Sequence, residues 1–115
     1  MENEVVRNDT PERVDYVTPA VEIVEDDQAV TLTADLPGVA PGNVEVSLHD
    51  GQLTVLGRVE RRSTGGSHAR AYRRRFALNP SGFDTEHISA VLRHGVLELR
   101  LPRAEKAKPR QITVN

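Results

Sequence analysis

Short segments in which apolar and polar residues alternate one by one are the feature that most restricts the fold of this chain. Between Val30 and Leu36 every second residue is apolar, and the residues between them are Thr31, Thr33 and Asp35. Successive side chains of a β-strand point to opposite sides of a sheet, so such a segment buries one face and exposes the other to solvent. The same period of two recurs in segments 44–48, 53–55, 72–78, 88–92 and 97–101. The pattern predicts an all-β chain.

Turn-forming residues separate these segments at short intervals. Asp50-Gly51 is a strong hairpin signal, because both central residues of such a turn need positive φ. His94-Gly95 is expected to make a second tight turn, and Pro37-Gly38 to end the strand before it. Only two Phe, two Tyr and no Trp are present, which suits a core of branched aliphatic residues between packed sheets. We therefore predict an immunoglobulin-like antiparallel β-sandwich of seven to eight strands.

Two segments interrupt the strand pattern. Residues 58–71 have no apolar period and contain Gly65-Gly66, so we expect a loop there, with at most a weak strand inside it. Gly57 is expected to end the strand before this loop. Further along, Asp84 is expected to cap one short helical turn that ends at His87.

One domain with a segment on each side is the expected organisation of these 115 residues. Residues 1–18 are polar and are expected to form a short mobile arm, 19–102 the sandwich, and 103–115 a charged tail that carries Pro109. The first residues lack the basic start and apolar run of a signal peptide, no apolar run could span a bilayer, and cysteine is absent. These features favour a cytoplasmic protein with no membrane partner.

Motifs of nucleotide-binding proteins and metallohydrolases are missing from the sequence. There is no GxxxxGK[ST], no GxGxxG and no HExxH. The four histidines, His49, His68, His87 and His94, do not pair at metal-ligand spacing, and no serine lies in a nucleophile-elbow motif. We therefore expect no enzyme activity, no catalytic residue, no cofactor and no metal site.

A stripe of arginines offers an alternative function. Six arginines and no acidic residue lie between Arg61 and Phe83, with Tyr72 and Phe76 among them, and such a set can bind phosphates and stack on bases. However, Tyr72 and Phe76 share a strand face with Leu78, which favours a core position. Nucleic-acid binding is therefore not expected, and the arginines at 73 and 75 form a solvated or interface stripe.

Four segments in order resemble the α-crystallin domain of the small heat-shock protein family. The first half of that domain is similar to PAVEIVEDDQAVTLTADLPGVAPGNVEVSLHDGQLTVLG, residues 19–57. Its central strand is similar to YRRRFALNP, residues 72–80. Its hallmark hairpin resembles ISAVLRHGVLELRLP, residues 88–102, in which the motif residues are Ala90, Gly95, Val96 and Leu97. Its C-terminal I-x-I/V anchor resembles Ile112-Thr113-Val114.

The resemblance implies an ATP-independent holdase, which captures unfolding client proteins and prevents their aggregation. It implies a homodimer as the building block. It also implies that Ile112 and Val114 anchor the tail in a groove between two edge strands, 44–49 and 88–93, of a neighbouring copy. The candidate lining residues of this groove are Val44, Val46, Leu48, Ile88, Ala90 and Leu92. The alternatives are that part of this set is simply core and that the tail is a frayed end.

Arg74 corresponds to a family arginine that lies near the dimer interface and makes ion pairs there. The alternative is an exposed arginine that contributes little to stability. Two departures from the family pattern affect the assembly. The arm is short and poor in aromatic residues, which favours a dimer or a small higher oligomer formed through the tail. Loop 58–71 is short, so a strand exchange between subunits through this loop is reduced or replaced by another interface.

A non-enzymatic protein-interaction or co-chaperone module of similar shape is the second functional hypothesis. A single partner with fixed stoichiometry would favour that module. The I-x-V tail and the Ala90…Gly95-Val96-Leu97 segment favour the holdase.

Overall fold

Eight strands in two four-stranded sheets form the described part of the protein. The computed structural model describes residues 13–60, 68–109 and 112–114. The strands are β1 (Arg13–Val17), β2 (Val21–Glu25), β3 (Ala29–Asp35), β4 (Val39–His49), β5 (Gln52–Val59), β6 (His68–Ala77), β7 (Ser89–Arg93) and β8 (Val96–Pro102). One sheet has the order β1-β6-β5-β4 and the other β2-β3-β8-β7. The predicted all-β, immunoglobulin-like sandwich is confirmed, and β1 with β6 is the one parallel pair among these strands.

The core lies between the two sheets and consists mainly of leucine and valine. Leu97, Leu99 and Leu101 on β8 are buried, as the alternation predicts, while the residues between them are exposed. Leu53 and Val55 on β5 face them from the other sheet and are also buried. Burying one such side chain contributes about 1.5–3 kcal/mol, so the alternating leucines are a main source of stability.

The two predicted tight turns are confirmed. Asp50 and Gly51 have φ of 51° and 76°, and His94 and Gly95 have φ of 54° and 76°. These left-handed conformations match the twist of the flanking strands, which explains the choice of Asp, His and glycine there. The second turn is also fixed to the core, because the backbone N–H of Leu36 donates to the carbonyl of Gly95 at 2.7 Å.

Residues 13–17 differ from the expected mobile arm, since they form β1. Val14 pairs with Ala69 and Tyr16 with Ala71, in parallel register with the first half of β6. The partner lies some 55 positions further along the chain, so the five residues of β1 alone do not show which segment they pair with. Residues 1–12 of the predicted arm lie outside the described residues.

The expected loop 58–71 is also shorter in the structure. β5 continues to Val59 and β6 begins at His68, while residues 61–67 lie outside the description. Gly57 is inside β5 and does not end it. A Cβ at this glycine would lie 3.3 Å from Leu36 Cδ1 and 3.4 Å from both Val39 methyl groups, so close packing explains the glycine.

β4 is longer than the predicted strand 44–49 because it starts at Val39. Its pairing with β5 shifts between Val39 and Val44, and Pro41 lies inside this bulge. Proline cannot donate to a ladder, and it is tolerated here because β4 is an edge strand.

Candidate partner-binding groove and dimer surface

The last strands of the two sheets, β4 and β7, lie opposite each other at one edge of the sandwich. Each is hydrogen-bonded on one side only among the described strands. Between them is a cavity of about 220 Å³, which we call the β4/β7 groove. Its lining residues are Val46, Ser47, Leu48, Leu53, Thr85, Ile88, Ala90 and Leu99.

Four of the six predicted lining residues contribute to this groove. They are Val46 and Leu48 from β4, and Ile88 and Ala90 from the segment that includes β7. Val44 and Leu92 are half-buried and pack against the core outside the cavity wall. Ala90 is exposed, and its small side chain leaves the groove open between the strands. That these residues bind a partner stays a prediction.

The sequence analysis did not identify Thr85 and Leu99 as part of the groove. Leu99 of β8 forms the floor of the groove. The alternation in the sequence predicts that Leu99 is buried, but not that it lies beneath a groove. Thr85 belongs to the 3₁₀ turn Thr85–His87, the short turn predicted after Asp84.

Asp84 stabilises this turn in a different way from the predicted cap. Its carboxylate makes no capping bond to the backbone and instead lies 2.8 Å from His87 Nδ1. The hydrogen bond to Asp84, together with the negative charge of that carboxylate, raises the pKa of His87 above its ordinary value. The pair adds to two backbone hydrogen bonds that fix this turn beside the groove, from His87 N–H to the Asp84 carbonyl and from Asp84 N–H to the Pro102 carbonyl.

The predicted anchor residues are exposed in the tail. Ile112 is 77 % exposed and Val114 is 88 % exposed. Neither contributes to the β4/β7 groove of its own chain. Two aliphatic side chains of this kind in an extended segment are available to a second copy.

Arg74 lies on the inner face of β6, in register with the buried Val55 of β5. Its guanidinium is half-buried, donates to the carbonyl of Pro19 at 3.4 Å and lies 5.3 Å from the ring centre of Phe76. Among the described residues, no carboxylate is within ion-pair distance of it. Most of its five N–H donors are therefore available to a group outside this monomer.

The other arginines of β6 do not form the base-stacking surface of the alternative hypothesis. Tyr72 is buried and Phe76 packs against the core, so neither ring is presented to solvent as a stacking platform. Arg73 lies on the outer face, with its guanidinium 3.8 Å from the ring centre of Tyr16 on β1. Its contact holds β1 against the sheet.

The hairpin motif occupies the turn between β7 and β8. Ala90 faces the groove, Gly95 closes the turn, Val96 is exposed on the outer face and Leu97 is buried in the core. These four residues therefore have separate structural roles, of which only that of Ala90 concerns the groove directly.

The histidines and acidic residues do not form a metal-binding cluster within residues 13–60, 68–109 and 112–114. His49 lies 3.2 Å from Asp50 at the first hairpin turn, and His94 forms part of the second turn. The side chain of His68 lies outside the description. The same part of the chain has no helix of the length and apolar content that crossing a bilayer requires.

Comparisons with known proteins agree with this geometry. The model of the Hsp20/alpha crystallin family matches residues 22–115. A probable 15 kDa heat shock protein of Leptospira interrogans is 37 % identical over 98 residues, which cover 80 % of this chain and 75 % of that protein. Spore protein SP21 of Stigmatella aurantiaca is 36 % identical over 103 residues, which cover 84 % of this chain and 61 % of the relative.

A solved structure supports the same assignment. The small heat-shock protein of Xylella fastidiosa superimposes with a TM-score of 0.66 at 32 % identity, over 86 % of this chain and 97 % of that chain. Eight strands in two sheets, an edge groove and an I-x-V tail are thus combined with a family match over most of the sequence. The chain belongs to the Hsp20/alpha crystallin family of small heat-shock chaperones.

Proposed function

We propose that this protein is an ATP-independent holdase that binds unfolding client proteins and prevents their aggregation. The observation that supports it most is the apolar β4/β7 groove, which lies between two edge strands in a chain of the Hsp20/alpha crystallin family. An extended client segment can add to either edge and place its apolar side chains in the groove. The proposal needs no catalytic residue, nucleotide, cofactor or metal, and it places the protein in the cytoplasm.

The tail anchor is the second part of the proposal. In an extended tail, Ile112 and Val114 fall on one side, roughly 6.6 Å apart. In the proposed complex they enter the β4/β7 groove of a neighbouring copy, where Val46, Leu48 and Ile88 provide apolar contacts. Burying both yields on the order of 3–6 kcal/mol, and ordering the tail costs about 1–2 kcal/mol per residue. A single anchor is therefore weak, and several acting together are needed for a stable assembly.

Weak anchoring has a functional advantage in this scheme. In this proposal the same groove binds the tail and the client. The apolar surface of the groove is therefore exposed only when the tail has dissociated. A client segment with two aliphatic residues at this spacing competes directly with Ile112 and Val114. When a client segment replaces a tail in the groove, the client is captured and the tail-linked assembly is lost at the same time.

Arg74 is proposed to lie at the interface of a homodimer. Among the described residues, its half-buried guanidinium is hydrogen-bonded only to the Pro19 carbonyl, which leaves donors for a further partner. A carboxylate from a second copy would complete this arrangement, and removing one partner of such a pair is costly because the other charge is stranded. The relative from Xylella fastidiosa forms a distinct high order structure. We propose a homodimer here, with small higher oligomers formed through the tail.

Light scattering of a heat-labile client, without nucleotide and over a series of molar ratios, tests the holdase activity. We expect suppression at comparable amounts of subunit and client. Ala90→Glu should reduce it, because the charge would lie in the groove, whereas Val91→Glu on the outer face of β7 should not. Full suppression by both variants would exclude the groove as the client site, and no suppression by the folded wild type would favour the interaction module.

A further inference from the structure

The first two residues after β8 remain hydrogen-bonded to the sandwich. The backbone N–H of Arg103 donates to the carbonyl of Gln28 at 2.9 Å, and that of Ala104 donates to the carbonyl of Gly82 at 2.9 Å. Arg103 also forms an isolated antiparallel bridge with Phe83. Gln28 belongs to the turn between β2 and β3, and Gly82 to the segment between β6 and β7. The base of the tail is therefore held from two directions.

The side chain of Arg103 adds two hydrogen bonds to the same turn. Its Nε–H donates to the carbonyl of Asp26 at 3.0 Å, and its Nη2 donates to a carboxylate oxygen of Glu25 at 3.1 Å. A guanidinium that is bonded through two of its nitrogens is fixed in direction as well as in distance. The Arg103 side chain is also only 22 % exposed, whereas that of Arg58 in its ion pair with Glu45 is 59 % exposed. We call Arg103 with its two acceptors the Arg103 clamp.

The turn that receives this guanidinium is held in shape by hydrogen bonds of its own. A carboxylate oxygen of Asp26 accepts from the N–H of Gln28 at 2.7 Å and from the N–H of Ala29 at 2.9 Å. These two bonds lower the pKa of the Asp26 carboxyl below its ordinary value, so the carboxylate stays charged at neutral pH. Ala29 is buried in the core. Arg103 is thus attached to a well-fixed part of the fold.

Beyond Ala104, the hydrogen bonds of the described tail residues are local. The 3₁₀ turn Glu105–Ala107 bonds back to Ala104, and Lys108 bonds to Glu105. From Ala104 to Ile112 the chain spans at most roughly 20–25 Å, because the turn rises about 2.0 Å per residue and extended residues about 3.3 Å. The space that the anchor can reach is therefore set by one fixed point and a short span.

We propose that Arg103 is the positioning residue of the tail: it fixes where and in which direction the tail leaves the sandwich, and so selects the neighbouring grooves that the anchor can reach. This inference rests on the tail anchor of the proposed function. A tail that is fixed at its base samples fewer positions, which raises the effective concentration of Ile112 and Val114 at a correctly placed groove. Loss of the clamp lowers that concentration and leaves the intrinsic affinity of the anchor unchanged.

Distances between two spin labels measure the direction of the tail. The chain has no cysteine, so Glu98→Cys on the exposed face of β8 and Ala107→Cys in the tail give two unique positions. Ile112→Ser with Val114→Ser prevents docking, and dilution with unlabelled chains restricts the signal to pairs within one chain. We expect a narrow distribution of distances in this background and a broad one once Arg103→Gln is added.

Two further variants provide the controls. Lys106→Gln removes the same charge beyond the clamp and should keep the distribution narrow. Glu25→Gln keeps the guanidinium but weakens its pair, so it should broaden the distribution in part and add nothing to Arg103→Gln. Glu25→Gln also covers the case in which Arg103→Gln unfolds the chain. Equal widths for the starting chain and the clamp variants would overturn the proposal.

Sedimentation velocity with the anchor intact tests the consequence for assembly. Arg103→Gln should reduce the tail-linked assemblies several-fold relative to Lys106→Gln, because the effective concentration falls. The affinity of the β4/β7 groove for a separate peptide of residues 106–115 should stay the same, since this peptide lacks the clamp. A broadened distance distribution with an unchanged size distribution, or a weakened groove, would overturn the proposal. An unchanged size distribution for Ile112→Ser with Val114→Ser would instead refute the anchor of the proposed function.

Discussion

Replacing Ile112 and Val114 together with serine should remove assemblies larger than a dimer while leaving the fold intact. These side chains are 77 % and 88 % exposed in the monomer, so docking would newly bury most of their surface. Scaling the 1.5–3 kcal/mol of full burial by those fractions gives about 2.5–5 kcal/mol per tail for the pair. The affinity of one tail should thus fall by roughly 10² to a few times 10³.

Sedimentation velocity over a range of concentrations measures the loss of assemblies, and calorimetry checks the fold. The melting temperature of the dimer should not change, because exposed residues contribute little to the free energy of unfolding. Thr113→Ala is the matched control, since this side chain lies between the two anchors and points away from them in an extended tail. An unchanged size distribution for the double variant, equal to that of the control, would refute the anchor.

Three further predictions concern the interface, a turn and a titrating pair. Arg74→Gly should raise the dimer dissociation constant measured by sedimentation equilibrium, whereas Arg75→Gly on the outer face should not. Equal dissociation constants for the two variants would place Arg74 outside the interface. Gly95→Val should lower the free energy of unfolding by about 1–3 kcal/mol, because a β-branched residue is strained at the φ of 76° found there. Gly82→Val, which has open space around it, should lower the free energy of unfolding less. Equal losses in denaturant titrations would mean that backbone strain is not the cause. The folded pKa of His87 is raised from 6.5, so its charged pair stabilises the fold fully below that pH and is lost as pH rises through the folded pKa. The stability difference between wild type and His87→Gln should shrink across that range, and a constant difference would exclude the pair.

Local signals in the sequence predict the turns and the core. Asp50-Gly51 and His94-Gly95 have the residues that left-handed turns require, and the leucines of 97–101 alternate as a half-buried strand demands. These features depend on neighbouring residues in the chain, so a few consecutive residues are enough to predict them. The groove walls at Val46 and Ile88 were predictable only through the resemblance to a family.

Features that depend on distant residues could not be predicted in this way. β1 exists because residues 68–72 offer it an edge, and although three of its own five residues are apolar, so short a segment does not indicate a strand without that partner. Gly57 resembles a strand end in the sequence, although the reason for it is the approach of Leu36 and Val39 from another segment.

The bulge in β4 limits the length of any segment that could pair continuously with this edge. Regular pairing is confined to Val44–His49, because the register shift and Pro41 interrupt it before that stretch. At about 3.3 Å per residue, this gives roughly 20 Å of continuous ladder. Ser89–Arg93 of β7 is shorter still. Any extended segment that adds to either edge can thus pair over only about five or six residues, and such short edge strands limit edge-to-edge association with other chains.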